Sequence, residues 1–325
     1  MKIKKIAILF QSTNKVPIEF EERHLDMIRQ TVPGVNVVRA YTESELLPGE
    51  LDADVLITWG QYSPVEFCTK ATNLKWIHAV SAGIEGLTIP EIMSLDAVMS
   101  NTKGIHGIPM AEHTMALILA SLRQLPVLLK QQQEKVWLKH KPDETQGKTV
   151  GIIGLGSIGE EVAKKCKLFG MKVVATKRTP VACEWVDELY PDHQLDKLLC
   201  QADFVVVVVP LTPETTKLIG EKEFKLMKKT SYIINIARGK VIDEKALVKA
   251  LQDGDIGGAG LDCVEDEPLP QDSPLWDMPN VIITPHTAAD SPFYMDRAMN
   301  QFCESLKKFI NNQDILNKIN KNKGY

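Results

Sequence analysis

Lys148–Gly159 reads KTVGIIGLGSIG and begins almost halfway along a chain of 325 residues. A short apolar segment of β character leads into Gly154-Leu155-Gly156-Ser157-Ile158-Gly159, and the helix-like EEVAKKCKLFG follows. In such a turn the first glycine lets the chain reverse tightly, and the second lets backbone approach a pyrophosphate. The third lets helix pack closely on strand, while the helix N-terminus faces the anion. A bare G-x-G-x-x-G is weak evidence. A strand before it and a helix after it make it a dinucleotide-binding signature. Its place in mid-chain leaves the residues before it to a second structural unit.

Outward from that turn, the bulk properties are those of an ordinary globular chain long enough for two cores. Hydrophobic residues make up 44% and charged residues 25%, and the net charge of −4 gives no basic surplus for nucleic acid or an anionic membrane. The opening MKIKKIAILF has basic residues and an apolar run. That run is too short for a signal peptide, and no small-residue cleavage site follows Gln11-Ser12, so an opening strand is expected. Val205–Val209 stops at Pro210, far short of a membrane span. Cys68, Cys166, Cys183, Cys200, Cys263 and Cys303 form no C-x-x-C and no metal spacing with histidine. Reduced thiols, no metal and a cytoplasmic location are the expectation.

Strand and helix patterns alternate in two blocks. The first runs KKIAILF, a helical VPIEFEERHLDMIRQTV, VNVVRAY, ADVLITW, PVEFCTKATN, LKWIHAVS, TIPEIMSL and AVMSN. Such alternation predicts a parallel sheet wrapped by helices. After the glycine-containing NTKGIHGI, Pro109 suits a helix first turn, and MAEHTMALILASLRQL follows, to be kinked or ended by Pro126. The second block holds the glycine turn, MKVVAT, a helix near LDKLLCQ, FVVVVVP, EKEFKLM, SYIINIA, DEKALVKALQDG, GAGLDC and NVIITPH. The helical SPFYMDRAMNQFCESLKKFINN is then expected to pack back on the first block. Two doubly wound parallel-sheet α/β domains result, flavodoxin-like at 1–101 with 290–325 and Rossmann at 102–289, with a cleft between them.

Three ionisable residues sit at or beyond predicted strand ends of the second block: Arg238, Glu267 and His286. Ligands of open parallel sheets bind there. Together with a nicotinamide they suggest carbonyl reduction. Arginine binds a carboxylate and polarises the adjacent carbonyl. Histidine gives the proton, and a carboxylate beside it favours the charged imidazole and fixes its tautomer. Singly, each has an ordinary reading: a solvated Arg238-Gly239 turn, a charge in the acidic EDEPLP loop, a histidine bonded to backbone at a strand end.

The chain resembles the D-isomer-specific 2-hydroxyacid dehydrogenase family. The resemblance rests on VSAGIEGL, NTKGIHGIPMAEH, GKTVGIIGLGSIG, PLTPETTKLIG, INIARGKVIDEKAL, GAGLDCVEDEPLP and NVIITPHTAA, in that order. It implies a catalytic triad of Arg238, Glu267 and His286, and a substrate-carboxylate loop at Val80-Ser81-Ala82-Gly83, where backbone N–H groups hold the acid. It implies cofactor contacts from Ser157, Ile158, Pro210, Thr215, Ala237 and Asp262, with His286 also facing the cofactor. Asp262 is assigned to the nicotinamide carboxamide; the alternative is a structural aspartate tying down the EDEPLP loop. A homodimer built on the helix near Met110 is implied as well.

Cofactor choice turns on the end of the second cofactor-domain strand, where an acid favours NAD and positive partners favour NADP. Thr176, Lys177, Arg178 and Thr179 contain no acid, and a phosphate of roughly −1.5 to −2 charges suits the Lys177–Arg178 pair. The alternative leaves both as solvated turn residues with NAD bound. NADP is preferred, and reduction of a small 2-keto acid to a D-2-hydroxy acid is the leading expectation. Glyoxylate or hydroxypyruvate reduction and a phosphoglycerate dehydrogenase-like activity are alternatives within the chemistry. A nucleotide-sensing, corepressor-like protein is the alternative outside it. Formate oxidation lacks its additional residues here. The chain ends soon after the return helix, so the amino-acid-sensing domain of long phosphoglycerate dehydrogenases is not expected. Trp59, Tyr62, Ile84, Trp137 and Tyr294 are candidates for the substrate pocket or, equally, for core or dimer contacts.

Overall fold

Apolar runs rich in Val and Ile become strands, and the amphipathic stretches between them become helices, as burial of one face of each requires. A computed structural model describes residues 2–9, 20–47 and 49–321. Part of the expected first helix, residues 16–19, lies outside them. The elements run β1 (Lys5–Leu9), α1 (Glu22–Thr31), β2 (Asn36–Ala40), β3 (Val55–Thr58), α2 (Val65–Lys70), β4 (Trp76–Ala79), α3 (Pro90–Met93) and β5 (Val98–Asn101). Next come α4 (Gly107–Leu122), α5 (Leu125–Glu134), β6 (Thr149–Ile153), α6 (Ser157–Leu168), β7 (Lys172–Thr176), β8 (Glu188–Tyr190) and α7 (Leu195–Gln201). Then follow β9 (Phe204–Val207), α8 (Glu221–Leu226), β10 (Tyr232–Asn235), α9 (Glu244–Asp253), β11 (Gly258–Leu261), β12 (Val281–Ile283) and α10 (Tyr294–Ile310). The chain divides into two compact units, Met1–Ile105 with Ser291–Tyr325, and His106–Asp290.

In the first unit five strands lie in the order β2-β1-β3-β4-β5, all parallel. This is the flavodoxin-like order, with its switch point between β1 and β3. α10 covers one face, where Trp76 stacks on Phe302 at 4.9 Å between ring centroids. At the entry edge, buried Asp54 accepts from the N–H of Lys4 and Lys5 and from Lys75 Nζ at 2.7, 3.1 and 2.6 Å. Burial works to raise that carboxyl, but these hydrogen bonds outweigh it and hold it below the ordinary aspartate range.

In the second unit seven parallel strands run β12-β11-β10-β9-β6-β7-β8. Counted from β6, this is the Rossmann order with one strand added, and the switch point lies between β6 and β9. The Asp54 device recurs: Asp203 accepts from Thr149 N at 2.8 Å and Lys228 Nζ at 2.7 Å. Two details differ from the sequence reading. The helix after Pro109 starts at Gly107 and stops at Leu122, because Gln124 takes a left-handed conformation, and Pro126 falls in the first turn of α5. β8 was not foreseen, since three residues show no usable periodicity.

Candidate active site

The glycines of the β6–α6 turn have different physical requirements. Gly154 has φ +102°, and a Cβ there would stand 2.8 Å from Val209 Cγ1 and 3.0 Å from Val208 O. A Cβ on Gly159 would overlap Gly154 O, so the close start of α6 against β6 needs glycine. At Gly156 a Cβ would meet no protein atom within 4 Å. The space beside it is therefore available to a ligand. The first bond of α6 runs from Glu160 N to Gly156 O at 2.8 Å, and no side chain caps the helix. The N–H groups of Ser157 and Ile158 precede that ladder at the positive end of the helix dipole. These residues fit a pyrophosphate.

At the end of β7, Thr176 O accepts from the N–H of Gly154 and Leu155 at 3.2 and 2.9 Å, which fixes the turn against the strand. Lys177 Nζ lies 3.5 Å from Glu160, while Arg178 and Thr179 are exposed. The Glu214 carboxyl is held below its ordinary range mainly by Thr212, with a smaller contribution from Arg178's charge. Arg178 therefore faces the loop after β9. In that loop the Thr215 hydroxyl donates to Pro210 O at 2.6 Å and accepts from Thr212 N at 2.8 Å. Thr215 thus shapes the loop, and Pro210 is exposed.

Arg238, Glu267 and His286 all follow strands of this sheet at its carboxyl edge. Asn235 holds the Arg238 turn, accepting from Ala237 N at 3.1 Å and donating to Arg238 O at 3.1 Å. A Cβ on Gly239 would overlap Val264 O, so the Arg238 turn presses directly on the loop after β11. The Arg238 guanidinium donates to Ala237 O at 2.8 Å and, among the described residues, forms no ion pair within 4.0 Å. Glu267 Oε2 lies 2.8 Å from His286 Nδ1, and its Oε1 accepts from Val264 N at 3.3 Å. An ionised carboxylate only accepts, so His286 carries a proton on Nδ1 and turns Nε2 away from Glu267. His286 itself has φ +55°, a left-handed backbone uncommon outside glycine. Asp290 also faces it; partial burial and Asp262 raise that carboxyl while His286 pulls it down.

Asp262 is 3% exposed, and it accepts from Thr284 Oγ1 at 2.7 Å, Thr287 N at 2.9 Å and Ala288 N at 3.0 Å. These bonds tie down the loop that carries His286. The structural alternative named the EDEPLP loop, which these bonds do not touch. Ala237 is buried, with its N–H and carbonyl both engaged in the Arg238 turn.

In the first unit, the Val80–Gly83 turn has three carbonyls pinned by side chains. Tyr294 Oη donates to Val80 O at 2.9 Å, Asn101 Nδ2 to Ala82 O at 2.6 Å, and Ser81 Oγ to Gly83 O at 2.7 Å. Ser81 Oγ also accepts from Gly60 N at 2.9 Å. In a trans peptide the N–H opposes the carbonyl, so the pinned carbonyls aim the following N–H groups the other way. Ile84 is core, Trp59 packs on Tyr294 at 6.0 Å between centroids, and Tyr62 is pushed up to about 12 by burial and by Glu43. Trp137 stands 97% exposed.

The family model described as D-isomer specific 2-hydroxyacid dehydrogenase, NAD binding domain, matches residues 115–288. The chain belongs to this family. Among family relatives, a D-3-phosphoglycerate dehydrogenase of Methanocaldococcus jannaschii is 36% identical over 305 residues, 91% of this chain and 58% of that relative's own length. A glyoxylate reductase of Thermofilum pendens is 38% identical over 259 residues, 76% of each chain. The solved NADPH-dependent glyoxylate/hydroxypyruvate reductase of Sinorhizobium meliloti, in complex with NADP and sulfate, superposes with a TM-score of 0.80 at 27% identity. It covers 99% of this chain and 100% of its own.

Two histidines escaped the sequence reading of this dehydrogenase family member. His106, at the start of α4, is 9% exposed, and burial together with the charge of Arg238 pushes its imidazole down to about 4. It is a neutral group beside the arginine. His113 Nε2, about two turns further along α4, lies 2.9 Å from Thr284 Oγ1. Both lie within the NTKGIHGIPMAEH stretch, where no local spacing relates them to Arg238 or to Thr284.

Proposed function

We propose that this chain is an oxidoreductase that reduces small 2-keto acids to D-2-hydroxy acids, with NADPH preferred over NADH. The observation that carries the reading is the Glu267–His286 pair at 2.8 Å, on the same sheet edge as an uncapped, glycine-opened helix start. When bound, the reduced nicotinamide supplies a hydride to the carbonyl carbon. Arg238, without a carboxylate partner among the described residues, binds the substrate carboxylate through its fork and polarises the neighbouring carbonyl. His286 gives a proton from Nε2 to the carbonyl oxygen, and Glu267 orients the ring through Nδ1. The Ser81–Gly83 turn offers backbone N–H groups to the same class of anion. Relatives named glyoxylate reductase support glyoxylate and hydroxypyruvate as the first substrates to try.

Lys177 and Arg178 support the NADP preference, since a 2′-phosphate would draw Lys177 from Glu160 and meet the exposed Arg178 beside it. A homodimer is proposed on the exposed apolar run of Leu125, Leu128, Leu129, Val136, Trp137 and Leu138. All six cysteines are free thiols, which supports work in the reducing cytoplasm. The test is oxidation of NADPH and of NADH over a panel of 2-keto acids, with Arg238→Ala alongside. Turnover favouring NADPH is expected, and Arg238→Ala should raise KM and lower kcat together. NADH preferred for every acid would remove the cofactor argument. Nucleotide binding without reduction would return the reading to a nucleotide-sensing, corepressor-like protein.

A further inference from the structure

We infer that His113 is a positioning residue for His286, acting through Thr284 and Asp262. The inference rests on the reading of His286 as proton donor. Thr284 Oγ1 is 2.7 Å from Asp262 Oδ1, and an ionised carboxylate only accepts, so the threonine's single proton points there. The contact from His113 Nε2 to Thr284 Oγ1 at 2.9 Å must then be donated by the imidazole. A directed chain results: His113 Nε2–H to Thr284 Oγ1–H to Asp262. Geometry reinforces it, because His113 Nε2 is also 3.6 Å from Asp262 Oδ1, so its N–H faces the acceptor end of the chain.

The far end of this chain matters for geometry. Asp262 binds residues on both sides of His286, Thr284 before it and Thr287 and Ala288 after it. His286 N donates to Thr284 O at 3.0 Å, closing the tight turn in which it takes φ +55°. A non-glycine residue is strained there and keeps that conformation only where the surroundings over-determine it. His113 anchors that grip to α4, a sixteen-residue helix packed on α6. Without its donor, Thr284 loses one restraint and the direction of Nε2 on His286 loosens, while Glu267 still holds Nδ1.

The experiment compares His113→Leu, His113→Gln and Thr284→Val with the wild type. His113→Leu should lower kcat about tenfold, less than the roughly hundredfold of a full ångström's misplacement, with KM for the keto acid unchanged. The dissociation constant of NADPH, read by fluorescence, should not move. His113→Gln, whose amide N–H reaches the same place, should recover most of the rate. Thr284→Val should reproduce the loss without touching α4, and it decides the matter if His113→Leu does not fold. Wild-type kcat in His113→Leu or Thr284→Val, or a glutamine no better than leucine, would overturn the inference. His286→Ala run in parallel separates the two readings: full kcat there would sink the proton-donor reading and the positioning inference with it, whereas a large loss in His286→Ala beside wild-type kcat in His113→Leu overturns the positioning inference alone.

Discussion

At the scale of single residues, two histidines are buried as neutral groups and one is left at the surface against a carboxylate. Burial pushes His78 down to about 3, where its ring bridges Ser100 and Thr102, and burial with Arg238 pushes His106 down to about 4. The unfolded chain takes up these protons near the ordinary histidine value of 6.5. Below that pH the unfolded state binds more protons than the folded one, so stability is full above about 6.5 and falls as pH drops toward 4 and 3. Each histidine contributes a slope of about 1.4 kcal/mol per pH unit in that window. Urea midpoints measured from pH 7 to pH 5 should fall, and His78→Gln should flatten the dependence. The exposed partner is different in kind: Glu267→Gln should leave stability nearly unchanged but lower kcat about a hundredfold, the range of general acid–base assistance. Steady-state kinetics beside thermal melts would separate these outcomes.

At the scale of elements, the β6–α6 turn separates packing from binding within one motif. Gly156 has an extended backbone with φ −97°, which alanine adopts freely, and nothing in the protein occupies the Cβ position. Gly156→Ala should therefore keep the wild-type Tm while weakening NADPH binding about tenfold, a loss of roughly 1.4 kcal/mol. Gly159→Ala should lose both, because its Cβ overlaps Gly154 O. Melting curves with and without NADPH distinguish the two. The helix that follows Pro109 teaches the reverse lesson about local signals. Its apolar pattern continues past Leu122, and the break comes at Gln124, a residue type with no strong turn preference. β8 escaped notice for a related reason, since Glu188, Leu189 and Tyr190 become a strand only because β7 offers them an edge.

At the scale of the whole molecule, both units are parallel α/β sheets whose entry edge is fastened by an aspartate and a lysine, Asp54 with Lys75 and Asp203 with Lys228. The exposed run from Leu125 to Leu138, with Trp137 97% exposed, belongs to the second unit. Sedimentation should give a dimer for the wild type and a monomer for Leu129→Glu combined with Trp137→Glu. Alternating apolar and amphipathic segments determined the two parallel sheets, the glycine spacing determined the nucleotide turn, and the ionisable residues at strand ends were legible because β-strand length fixes where those ends fall. Local pattern did not reveal that Asp262 would hold the chain on both sides of His286, or that His113 would reach Thr284 from another element. Those contacts join residues far apart in the chain, and their existence depends on strand register and on how each loop closes. Only the folded sheet sets both.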